Sequence, residues 1–218
     1  MKIFYALVCS FTLFAAGTAH AGLFIPKGSH MSMAMYSPDS QSVELAHGFT
    51  RDWSGSVGYH RYLSDDEQIE REFYTLQASY LALRLFQDDG IANVYVLGGP
   101  LLAHSQESSD DKLGFQTGLW ADYETRRIYT RASVQTHWTS AFSQTVMTGQ
   151  ALWAPYAADY EDVATWIGLQ VERRNGLSNA TQVTPLLRFF QRSWWVDGGV
   201  SVNSKHRGDV FINLMLLF

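Results

Sequence analysis

Three groups of residues in this chain are spaced so that they could do chemistry. The first is His30-Met31-Ser32-Met33-Ala34-Met35, an imidazole beside thioethers at every second position, a set that suits a soft cation such as Cu(I). The same spacing is one apolar face of a strand, and methionine is adaptable packing material. A lipid-facing strand is therefore the expectation for Met31, Met33 and Met35. The 7 histidines show no His-x-x-x-His spacing, so no metal site and no cofactor are expected. The second group is His137-Trp138-Thr139-Ser140 and His47-Gly48-Phe49-Thr50, where hydroxyls follow an imidazole. A nucleophile needs its base within hydrogen-bond reach, and no motif around either fragment supplies that geometry. An enzyme is thus not the expected reading, and no catalytic residues are assigned.

The third group is the most extensive. Arg131, Gln135 and His137 alternate with Ile128, Thr130, Ala132, Val134, Thr136 and Trp138. Gln170 and Glu172 alternate in the same way with Ile167, Leu169 and Val171, and Asp197 follows Val196. With Glu44, Gln77, Gln116, Asp122 and Arg174 they form a polar face carrying both signs of charge. Such a face does transport chemistry if it lines a water-filled passage. In the plainer account it packs into internal ion pairs and hydrogen bonds with no open path.

Period-two strands separated by turns must position these residues. Candidate strands are 29–37, 41–49, 53–63, 71–87, 91–104, 112–123, 127–139, 144–153, 162–174, 181–191, 194–203 and 208–218. That makes twelve, an even number of the kind single-chain membrane barrels use. Gly98-Gly99-Pro100 is expected to be a bulge or an early strand end. That stretch and the long loop Ala154–Glu161 keep ten strands as an alternative. Turn lengths largely alternate with parity: 64–70, 105–111, 175–180 and 204–207 are long, whereas 50–52, 88–90, 124–126 and 192–193 are short; Ala154–Glu161 breaks the rule, and Pro38–Ser40 is short for its side. A soluble β-sandwich would not tie loop length to parity.

The chain opens with Met1-Lys2, an apolar run to Ala16, and Ala19-His20-Ala21 before Gly22. This reads as a secretory signal peptide over 1–21, too short to span a membrane, followed by one domain over 22–218. The 1 cysteine, Cys9, falls within the removed segment. With 16 basic and 21 acidic residues, the balance argues against nucleic acid as a partner. Aromatic residues make up 14% of the chain. Trp53, Trp120, Trp138, Trp153, Trp194 and Trp195, with Tyr62, Tyr74, Tyr123, Tyr129 and Tyr156, lie near strand ends, where belts at a membrane interface are expected.

The last stretch, Gly208–Phe218, sets Val210, Ile212, Leu214, Leu216 and Phe218 on one face and Asp209, Phe211, Asn213, Met215 and Leu217 on the other. It resembles the closing strand of bacterial outer-membrane β-barrels, although Leu216 stands where many members carry Tyr. The resemblance implies an all-β, transmembrane, antiparallel up-and-down barrel in the outer membrane of a Gram-negative bacterium. It also implies that Phe218 is read as a signal by the barrel-assembly machinery. Some twelve-stranded members are phospholipases with a His-x-Ser motif ahead of an Asn-Gly pair, which this chain lacks. The expected function is a small passive channel lined by Arg131, Gln135, His137, Gln170, Glu172 and Asp197, with outer-membrane lipid, the assembly machinery and small solutes as partners. The alternatives are a non-conducting barrel with a structural or adhesive role, or a lipid-acting hydrolase.

Overall fold

The computed structural model describes residues 25–108, 110–159, 161–178, 180–203, 205 and 207–218. The proposed signal peptide, Cys9 and the first residues after Ala21 lie outside the described residues. The chain forms twelve strands: β1 (His30–Ser37), β2 (Ser40–Gly48), β3 (Trp53–Leu63), β4 (Glu70–Phe86), β5 (Gly90–Ser105), β6 (Lys112–Thr125), β7 (Ile128–Thr139), β8 (Ser143–Trp153), β9 (Ala164–Asn175), β10 (Thr181–Gln191), β11 (Trp194–Val200) and β12 (Val210–Leu217). Each pairs with its sequence neighbours, and β1 pairs with β12, so the sheet closes into one antiparallel barrel. The closing ladder runs from Met31 opposite Leu217 to Tyr36 opposite Ile212. Below it, His30 N donates to Phe218 O at 2.6 Å and Phe218 N donates to His30 O at 2.8 Å. Closure leaves no edge whose amides would face lipid without partners. The ten-strand alternative is excluded.

Alternation decides which side chains meet lipid. On β12, Val210, Ile212, Leu214 and Leu216 are exposed outside, while Phe211, Asn213 and Met215 are buried inside. The end that holds both termini has the short turns 87–89 and 192–193, with 154–163 as its one long connection. The other end has the longer connections 64–69, 106–111, 176–180 and 201–209, with 38–39 as its shortest turn. Gly176, at φ 89, opens one of these outer connections in a conformation only glycine adopts freely.

Three expectations change. Gly98-Gly99-Pro100 neither bulges nor ends its strand. β5 keeps its ladder to β6 through Gly99 opposite Gln116 and Pro100 opposite Phe115, and the register shift falls on β4 between Leu81 and Leu83. Gly99 serves another purpose there: a Cβ would collide with the carbonyl of Leu76 on β4.

The methionines of β1 face the interior, not lipid. Register explains it, because Met33 sits opposite Met215 on β12 and opposite Glu44 on β2. β12 must turn its Leu row outward, since its other face carries Asn213. β1, locked to it, then presents Ser32, Ala34 and Tyr36 to the outside.

The aromatic belt is also smaller than expected. Trp53, Trp138, Trp153, Tyr74 and Tyr156 are exposed on the outer wall, whereas Tyr62, Tyr129 and Trp195 are buried inside. Trp194 and Trp195 are adjacent on one strand, so only one can face lipid. Trp120 also faces inward, in contact with an arginine.

Candidate functional site

The interior is layered. At the end holding the termini, Met31, Leu81, Tyr95, Leu97, Trp195 and Met215 form one apolar cluster, and Tyr129, Leu152, Trp166, Leu186 and Phe211 form another. Ile25 joins the first cluster. The segment before β1 lies across the inside of Gly48: Gly28 N donates to Gly48 O at 2.8 Å, Gly48 N donates to Ser29 O at 3.0 Å, and a Cβ on Gly48 would strike the carbonyl of Pro26. This tuck narrows that mouth. At the other end Tyr62, Phe73, Leu101 and Ala103 pack together with Phe142 and Leu177 against them.

Among and between these clusters, other inward positions are polar and ion-paired. Arg188 of β10 grips Asp197 of β11 in a fork, Nε to Oδ1 at 2.6 Å and Nη2 to Oδ2 at 2.9 Å. Gln150 accepts from Arg188 at 3.1 Å, and Asn213 donates to Asp197 at 3.2 Å. The guanidinium carbon also stands 4.9 Å from the ring of Tyr129 and 4.8 Å from that of Trp195. Arg174 donates to Glu172 at 2.8 Å and pairs with Asp39 at 3.1 Å. Near the outer mouth Arg71 pairs with Glu107 at 2.6 Å and donates to Gln144 at 3.2 Å. Arg84 donates to Asn93, whose amide in turn donates to Asp122 at 2.7 Å. Two-coordinate arginine forks of this kind fix geometry as well as energy.

A chamber of about 130 Å³ remains midway along the barrel, with Arg131, Gln135, Gln170 and Glu172 in its wall. His137 and Asp197 also face inward but are packed away from that space. His137 stacks on Phe73 with ring centroids 4.5 Å apart, and neither ring nitrogen has a hydrogen-bond partner among the described residues. Its imidazole therefore packs against Phe73. Arg188 is one of the interior residues that the sequence reading missed, with Arg71, Gln144 and Gln150. A signal existed: Arg188 and Asp197 are equidistant from the two-residue turn Arg192-Ser193, which places them opposite each other.

The outer wall is apolar, and a groove of about 760 Å³ over Gly55, Ala78 and Gly98 belongs to it, bordered by Phe49, Trp53 and Pro100. Apolar wall and polar core together define the class: a twelve-stranded transmembrane β-barrel of the outer-membrane type.

No family model and no curated protein matches the sequence. Among solved structures the chain is similar to the KdgM porin, at 11% identity and a TM-score of 0.47, over 87% of this chain and 98% of that one. It is similar also to the NanC porin, at 10% identity and a TM-score of 0.42, over 87% of this chain and 97% of that one. A third likeness is to the translocator domain of the autotransporter NalP from Neisseria meningitidis, at 11% identity and a TM-score of 0.40, over 87% and 86% of the two chains.

Proposed function

We propose that this protein is an outer-membrane barrel through which small polar solutes pass slowly along a narrow, charged lumen. The observation that carries this reading is the unfinished hydrogen bonding of the interior. Gln116 Nε2, Gln144 Nε2, Arg131 Nε and Arg188 Nη1 are buried with no partner among the described residues. A dry, structural filling would leave such groups at a cost of about 1–3 kcal/mol each. Water is the partner that such groups ordinarily find, and a lumen wet enough to supply it is the condition for ions or small solutes to pass. Purified protein in planar bilayers is expected to give discrete, small conductance steps. A folded barrel with no measurable conductance would overturn the reading.

A second reading rests on the apolar clusters at both ends and on the tuck of Ile25 and Pro26 over Gly48. It makes the barrel non-conducting, with a structural or adhesive role. The bilayer recording decides between the two.

The outward Leu row of β12 supports placement in the outer membrane. The ring of Phe218 stacks on His30 at 5.7 Å, on the seam where β12 meets β1. Cleavage near Ala21 and delivery to the assembly machinery complete the route. Deleting Phe218 removes one strand-end residue yet is expected to lower the amount of heat-modifiable barrel in outer membranes severalfold. The same truncated chain, refolded in detergent, should give a normal barrel. Normal membrane levels would refute Phe218 as an assembly signal.

A further inference from the structure

We infer that the central chamber is a binding site for a small zwitterion, whose carboxylate meets Arg131 and whose cationic group meets Glu44. The inference rests on the reading of the barrel as a passage and names the class of solute that the passage favours.

Charge pairing around the chamber singles out two residues. Arg174, Arg188 and Arg71 each hold a carboxylate within 2.6 to 3.1 Å. Arg131 holds none. Its cross-strand neighbour is Asp122, but the oxygens of Asp122 are taken by Asn93 at 2.7 Å and by the indole of Trp120 at 2.9 Å. Arg131 instead lies over the ring of Trp120, 4.5 Å from its centroid, with Nε buried and lacking an acceptor. Stacking leaves the edge of a guanidinium free for a planar two-oxygen partner.

Among the acids, Asp39, Glu107, Glu172 and Asp197 are paired with arginine. No salt bridge engages Glu44 among the described residues; its neighbour is the hydroxyl of Ser56. Glu44 is on β2 and Arg131 on β7, so four strands separate them one way round the barrel and six the other. They stand on nearly opposite walls of one chamber.

An anion entering that space meets Arg131 but is repelled by Glu44, and a cation meets the converse. A zwitterion neutralises both at once, which is the condition for placing two charges away from bulk water without loss. The volume of about 130 Å³ corresponds to roughly four waters at about 30 Å³ each, enough for a compact solute and too little for an oligomer. The amides of Gln77, Gln135 and Gln170 add donors and acceptors between the two charges, and Met33 and Met35 give an apolar patch for methyl groups.

The test compares glycine betaine with acetate, choline and glycerol, which carry one charge, the other charge and none. Uptake into proteoliposomes is expected to be fastest and saturable for glycine betaine. Arg131→Gln, which loses a hydrogen-bonded charge contact to the carboxylate, and Glu44→Gln, which loses an ion contact to the trimethylammonium group, should each raise its half-saturation about tenfold and bring its uptake toward that of glycerol. Arg131→Lys, which keeps the charge, should restore part of the loss and controls for folding. Glycerol uptake without preference for glycine betaine would overturn the inference and leave the passage standing. Calorimetric titration of the detergent-folded protein with glycine betaine separates the remaining case. Binding without conductance or uptake refutes the passage alone, and no binding with no uptake refutes both.

Discussion

Asp197→Ala is expected to cost about 3–5 kcal/mol of stability, the loss found when one partner of a buried ion pair is removed and the other is left uncompensated. Both side chains are almost wholly inaccessible, at 1% for Arg188 and 0% for Asp197. Removal of the carboxylate leaves Arg188 with one amide acceptor, Gln150, and two aromatic faces. It also strips Asn213 of its acceptor, so a β12 side chain loses its tie to β11. Replacing the pair together, as Arg188→Met with Asp197→Leu, removes both charges and is expected to come far closer to neutral. The measurement is urea unfolding of vesicle-inserted protein, followed by tryptophan emission from Trp195 and its neighbours. The result also bears on function. A loss of under about 1 kcal/mol, the range of solvated pairs, would mean that lumen water already screens this layer. The full loss would mark the layer as dry and put the conducting path on the Arg131 side of the barrel.

The fold was legible because its rules are local. Period-two alternation and turn composition located every strand, and 53–63 and 181–191 agree residue for residue with β3 and β10. Which face turns inward was legible only where the two faces differ in polarity, as in β7, β9 and β12. In β1 they do not differ enough. Methionines on one side and Ser32, Ala34 and Tyr36 on the other give no sign by themselves, and the answer comes from the neighbouring Leu row of β12 through the closing ladder. That is a contact between the two ends of the chain, beyond any local window.

The aromatics failed for a related reason. Position near a strand end predicts a belt, but parity sends alternate rings inside, where Tyr129 and Trp195 flank Arg188 and Trp120 supports Arg131. Interior arginines in a narrow barrel need flat, polarisable neighbours as well as carboxylates. The polar residues themselves were legible by alternation. Their division into a packed set, including His137 and Asp197, and a set facing free space, including Arg131 and Glu172, depends on which cross-barrel partners meet. Sequence spacing shows such partners only across a tight hairpin, as for Arg188 and Asp197.

The sharpest check on parity is a charge placed on the lipid side. Leu214 lies midway along β12, exposed on the outer wall, opposite Ala34 of β1 and Val196 of β11. Leu214→Arg is expected to cost about 2–4 kcal/mol in the bilayer, the range for a cation held near the midplane of a barrel's lipid face. Ser42→Lys makes the matched comparison, since Ser42 lines the chamber two residues from Glu44 on the same face of β2. Its ammonium would enter a polar space that already holds an unpaired carboxylate, so its cost should be clearly smaller than that of Leu214→Arg. Both are read from urea-dependent folding into phospholipid vesicles. In detergent micelles, where a thin, mobile shell lets the arginine reach water, the difference should shrink. Equal losses in vesicles would mean that the Leu row of β12 does not face lipid. The apolar wall would then require another cover, and the membrane assignment would fall with it.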